Sequence, residues 1–71
     1  MKYKTVIKPE NGEPIECTKF DSEQECDEHL DKIKDLGDAI FERTTANLLI
    51  TIKYVLFQDE WVEADRGFIL R

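Results

Sequence analysis

The run of residues 48–57 (Leu-Leu-Ile-Thr-Ile-Lys-Tyr-Val-Leu-Phe) constrains this chain more than any other feature. Nine of its ten side chains are aliphatic, β-branched or aromatic, the exception being Lys53, and it has no glycine or proline, which predicts one long strand. A strand of that length needs neighbours on both edges and a layer over at least one face. In a chain of 71 residues, few other segments are left to supply them. A single domain spanning residues 1–71 is therefore expected.

The neighbours are legible on the N-terminal side. Residues 2–8 are rich in β-formers and partly alternate, and Pro9 ends them. Asn11-Gly12 is a turn signal, and residues 14–20 read as the returning strand of a loose hairpin. Ser22-Glu23-Gln24-Glu25 has the form of a capping box, and Phe20 before it packs under the helix start. Cys26, Leu30, Ile33 and Gly37 share one stripe at helical spacing, with His29 and Leu36 on its flank. These signals predict a helix over 22–36, closed by a left-handed Gly37. Residues 39–44 read as a short strand, 45–47 as a turn and 58–60 as another. Residues 61–64 read as a fifth strand, 65–67 as a turn and 68–70 as a short terminal strand or docked tail. The expected class is α+β, a two-layer sandwich in the order ββαββ(ββ), with one helix on an antiparallel sheet of four or more strands.

Alternation within 48–57 separates two faces. Leu48, Ile50, Ile52, Tyr54 and Leu56 form the uniformly apolar one, which is expected to lie under the helix. Leu49, Thr51, Lys53, Val55 and Phe57 form a mixed one, expected to look outward. One helix covers only one face, so Leu49, Val55 and Phe57 are expected as an exposed patch suited to a partner or a second copy.

Charge narrows the function classes. The chain carries a formal net charge of −6. Residues 21–38 hold eight acids and two bases, and therefore the whole of that charge; elsewhere eight acids balance eight bases. A direct nucleic-acid role is not expected, because phosphate binding needs a basic footprint. No stretch approaches the length of a membrane span or a signal peptide, and two cysteines without a leader read as free thiols. A cytoplasmic location is expected. On a helical wheel Asp27, Glu28, Asp31 and Asp35 share the outward face. Asp27–Asp31 and Asp31–Asp35 are like-charge pairs, each costing about 0.2–0.5 kcal/mol. A solvated, solubilising face explains such a run. An anionic docking surface for a basic protein, such as the nucleic-acid groove of another protein, explains it as well.

Constellations for chemistry are sparse. Cys26 and His29 stand at i,i+3, and Cys17 could add a third metal ligand, but structural zinc sites favour four Cys/His ligands in two tight pairs. Neighbouring acids push a thiol away from the reactive thiolate, so a Cys-His nucleophile is disfavoured. The three glycines are isolated turn or cap residues and form no phosphate loop. Trp61 lies beside a turn and is a candidate interface anchor. Aromatic side chains on a sheet can stack on bases, but a basic surround is not evident in the sequence.

The expectation is a non-catalytic protein-binding module, an inhibitor or regulator, without a cofactor. Its partner would be a protein with a basic surface, bound through Asp27, Glu28, Asp31, Asp35, Phe57 and Trp61. A homodimer through the outer sheet face and a small-molecule or metal protein centred on Cys17, Cys26 and His29 are the alternatives.

Overall fold

The computed structural model describes residues 2–71. The chain forms strands β1 (Tyr3–Pro9) and β2 (Glu16–Phe20), helices α1 (Glu23–Asp35) and α2 (Gly37–Phe41), and strands β3 (Leu48–Phe57) and β4 (Glu60–Leu70). The four strands make one antiparallel sheet in the order β2-β1-β3-β4. The helices lie on one side of it, so the fold is α+β.

The start of α1 follows the sequence signal. Ser22 is extended, and its Oγ accepts from the Glu25 amide at 3.2 Å. The stripe it launches is buried: Cys26 and Ile33 are almost inaccessible, and Leu30 packs against the core at its edge. The principal core joins Ile33, Ile40 and Phe41 of the helical layer to Ile7 of β1 and Leu49 of β3. Each such side chain contributes about 1.5–3 kcal/mol on burial.

The faces of the sheet are the reverse of the sequence expectation. Ile7 pairs with Thr51 and Thr5 with Lys53, and these residues share the side of buried Leu49, beneath the helices. Ile50, Ile52 and Tyr54 lie on the opposite side, where they cluster with Val6. Thus Leu49, Thr51, Lys53, Val55 and Phe57 face the helical layer, and the uniformly apolar set faces away. The physical reason is Lys53. Its aliphatic stem is buried and its ammonium is neutralised by α1, so a lysine is accommodated under a helix. A one-residue change of parity moves every side chain to the other face.

Three further expectations are corrected. Residues 39–44 do not form a strand: 37–41 form α2, whose Ile40 and Phe41 enter the core. Gly37 is not left-handed, and no glycine has a positive φ. It is the first residue of α2, buried beside β4, where an added Cβ would lie 3.4 Å from Ile69 Cγ2. Residues 60–70 form one eleven-residue strand, not two short ones with a turn between. An irregularity opposite Lys53/Tyr54 absorbs one residue, since Asp65 pairs with Lys53 and Glu63 with Tyr54, leaving Ala64 as a bulge. Gly67, read as a turn residue, sits inside β4 because Thr51 Oγ1 lies 2.8 Å from where its Cβ would be.

Candidate functional site

Residues 21–38, which include α1 and the start of α2, carry the net negative charge of the chain, but not as a uniform stripe. Lys53 Nζ donates to Asp27 Oδ1 at 2.8 Å and to Glu23 Oε2 at 3.3 Å. Asp27 is therefore tied to the sheet and does not belong to the free outward face. Asp21 pairs with Lys2 at 3.6 Å. Among the described residues, Glu25, Glu28, Asp31, Asp35 and Asp38 are exposed and form no ion pair. Between Asp35 and Asp38 of this array stands Leu36, the residue joining α1 to α2, 56% exposed. Beside it runs a groove floored by Ile33, Ala39 and Ile40, with His29, Lys32 and Arg43 at its rim. Sequence periodicity put Leu36 on the flank of the buried stripe. The break between the two helices turns it out to solvent, and only the pair Leu36-Gly37 hinted at that break.

The remaining candidate residues do not join this array. Phe57 is 53% exposed at the end of β3, on the helical side, next to the β3–β4 turn. Trp61 pairs with Leu56 and so lies on the opposite face. There Lys4 Nζ sits 4.5 Å from the Trp61 ring centroid and 4.9 Å from that of Tyr54. The six residues expected to form one partner surface therefore divide among an ion-pair clamp (Asp27), an exposed acidic array (Glu28, Asp31, Asp35), a hairpin end (Phe57) and the open sheet face (Trp61).

The residues with potential for chemistry are also dispersed. Cys17 pairs with Val6 on the face away from the helices, whereas Cys26 is buried beneath α1. Both are free thiols. Burial pushes the Cys26 thiol up; Lys53 opposes this, and Asp27 and Glu23 reinforce it. His29 Nε2 is 3.1 Å from Glu16 Oε1, and the His29 ring tilts against Phe20 with centroids 5.1 Å apart. Glu16 also reaches Arg43 at 3.7 Å. The histidine thus pairs across to β2 and not with Glu25 one turn earlier in α1. Among the described residues no three His, Cys, Asp or Glu side chains converge on a metal-sized site. No helix among them is long and apolar enough to cross a membrane. Comparison with known proteins yields no matching family model, no matching curated protein and no matching solved structure.

Proposed function

We propose that this protein is a non-catalytic binding module that engages a basic protein surface through its helical layer. The observation that carries the reading is the exposed array of Glu25, Glu28, Asp31, Asp35 and Asp38, none of which is neutralised by an ion pair among the described residues. The fold does neutralise acids where it needs them, as Lys53 does for Asp27 and Glu23. Asp31 and Asp35 stand at i,i+4 and repel one another in a turn that Lys32 and Lys34 only partly offset, and a cationic partner would relieve that repulsion. Leu36 adds an apolar anchor between Asp35 and Asp38, beside the groove of Ile33 and Ile40. An interface needs such a desolvated centre inside a charged rim.

The dispersion of Cys17, Cys26 and His29 supports a binding role over a catalytic one. The homodimer expected through Leu49, Val55 and Phe57 has no such surface, because these residues face the helical layer. The face that does look outward carries four cations and one acid, so packing it on its own copy would oppose like charges.

The test compares the tagged protein with a Glu28→Lys/Asp31→Lys/Asp35→Lys variant in capture from a lysate of the source cells. A basic protein retained by the parent, released by salt and lost by the variant with unchanged circular dichroism is the expected result. Equal retention of the same protein by both forms would remove the helical layer from the account.

A further inference from the structure

The net charge of −6 conceals a segregation. Strand pairing sets Lys4 and Lys19 opposite one another, Lys4 opposite Tyr54, Lys8 opposite Ile50 and Arg66 opposite Ile52. All four cations therefore project from the sheet face that carries no helix. One strand acid, Glu63, shares that face, and it is paired with Arg66 at 2.6 Å. Lys4, Lys8 and Lys19 form no ion pair among the described residues. The acids of α1 lie on the other side of the sheet.

Three rings share this basic face. Tyr54 lies in central strand β3, and Trp61 and Phe68 lie in β4, Phe68 opposite Ile50 and 62% exposed. The lysines do not stand apart from the rings. Lys4 Nζ lies within 5 Å of both the Tyr54 and Trp61 centroids, and Lys19 Nζ is 6.0 Å from that of Trp61. Val6, Ile50 and Ile52 form a close-packed apolar floor between them.

We propose that this face is a platform for a single-stranded nucleic acid, with Trp61, Tyr54 and Phe68 stacking bases and Lys4, Lys8 and Lys19 meeting phosphates. A nucleotide needs a π-surface and a cation within one nucleotide's reach. Lys4, which lies over the Tyr54 and Trp61 rings, meets that need when a base takes its place on a ring and its ammonium swings to the adjoining phosphate. A carboxylate-rich peptide would satisfy the lysines but leave the ring planes unused. A duplex hides its base planes and would leave the rings unused as well. A second copy is disfavoured by the like charges noted above. The sequence concealed this site because its residues come from separate strands, and because the net charge sums two faces of opposite sign.

The test is fluorescence anisotropy of a labelled short oligouridylate at low salt, together with quenching of Trp61, the sole tryptophan. A duplex of equal length and a glutamate-rich peptide serve as competitors. Dissociation constants of about 10⁻⁴–10⁻⁶ M are expected. The slope of log K against log salt should be about −2, for three phosphates on a single strand. Trp61→Ala and Phe68→Ala should each weaken binding about tenfold. Lys4→Gln should lower the salt slope by about 0.7. Asp31→Asn, on the helical side, should weaken nothing. Phe68 is exposed, so its variant keeps the test valid if Trp61→Ala unfolds. Absence of binding by the folded parent at millimolar protein would overturn the proposal. So would competition by the peptide equal to that of the oligonucleotide, or binding indifferent to both ring substitutions.

Discussion

The Lys53 ammonium sits 2.8 Å from Asp27 of α1 and bridges the sheet to the helix through a second contact with Glu23. Its side chain is only 13% exposed, while those of its two partners remain more than half exposed. Lys53 also lies opposite Thr5, one of the most buried residues of the chain. Replacing it leaves two carboxylates that can still reach water. Lys53→Gln should therefore lower the unfolding free energy by about 1–2 kcal/mol, less than the loss from a fully buried pair. Urea unfolding followed by circular dichroism checks this. A loss under a few tenths would show that the clamp is dispensable.

The same contact sets an alkaline limit. The hydrogen bond to Asp27 holds the Lys53 ammonium above its ordinary value, against an opposing contribution from burial, and Glu23 adds to the rise. A group whose pKa is higher in the folded state stabilises fully below the unfolded value. That stabilisation is lost as pH rises through the folded value. The stability difference between the parent and Lys53→Gln should be constant up to about pH 10, near the ordinary lysine value, and shrink above it. Urea titrations across that range give the comparison. A difference that grows with pH would contradict the assignment.

The β3–β4 turn is strained. Gln58 and Asp59 have φ of 50° and 64°, the left-handed region, between the paired ends Phe57 and Glu60. Two-residue hairpin turns of this kind favour Asn-Gly, and a non-glycine residue there costs about 1–2 kcal/mol. Gln58→Asn combined with Asp59→Gly should raise stability by about 1 kcal/mol. A higher melting temperature and an upward shift of the urea midpoint are the expected readings.

Gly67 makes the opposite case. Its φ is not left-handed, so the demand is for space. Gly67→Ala should cost about 1–2 kcal/mol, because Thr51 Oγ1 occupies the position of the new methyl and a β-branched side chain has few other rotamers. Thr51→Ala in the same chain should restore most of the loss. The double-mutant cycle reads this coupling directly.

The two thiols should differ in reactivity. Cys17 is exposed, and Cys26 is buried with its thiol pushed up by desolvation. One equivalent of a thiol reagent should react quickly with the native protein, and the second only on unfolding. Mass mapping of the modified cysteine identifies which.

The elements written in local chemistry were legible. Ser22 with Glu25, the stripe Cys26-Leu30-Ile33 and the uninterrupted run 48–57 each carry their own signal, and each formed as expected. What sequence could not rank was which face of 48–57 lies inside, since both parities contain enough apolar residues to be buried. Lys53 looked like the mark of a solvent face, yet Glu23 and Asp27 neutralise it from a helix distant in sequence. Asp65-Arg66-Gly67 looked like a turn because a glycine demanded by close approach resembles turn chemistry in composition, and the bulge at Ala64 carried no signal of its own. The site residues suffered similarly. Asp31 and Asp35 were legible as exposed acids. The company of Trp61, Lys4 and Phe68 depended on register between strands, which no single segment encodes.

The position of β1 shapes how the chain reaches this structure. The strand sits inside the sheet, between β2 and β3, with Tyr3 opposite Val55 and Pro9 opposite Leu49. The two hairpins, β1–β2 and β3–β4, can each form from nearby residues, but the seam between them joins segments separated by the whole helical region. Closing that loop is the slow, entropically costly event. Until it closes, each hairpin exposes a strand edge that is later internal. The helical layer, whose core residues meet Ile7 of one hairpin and Leu49 of the other, is the natural splint for that seam.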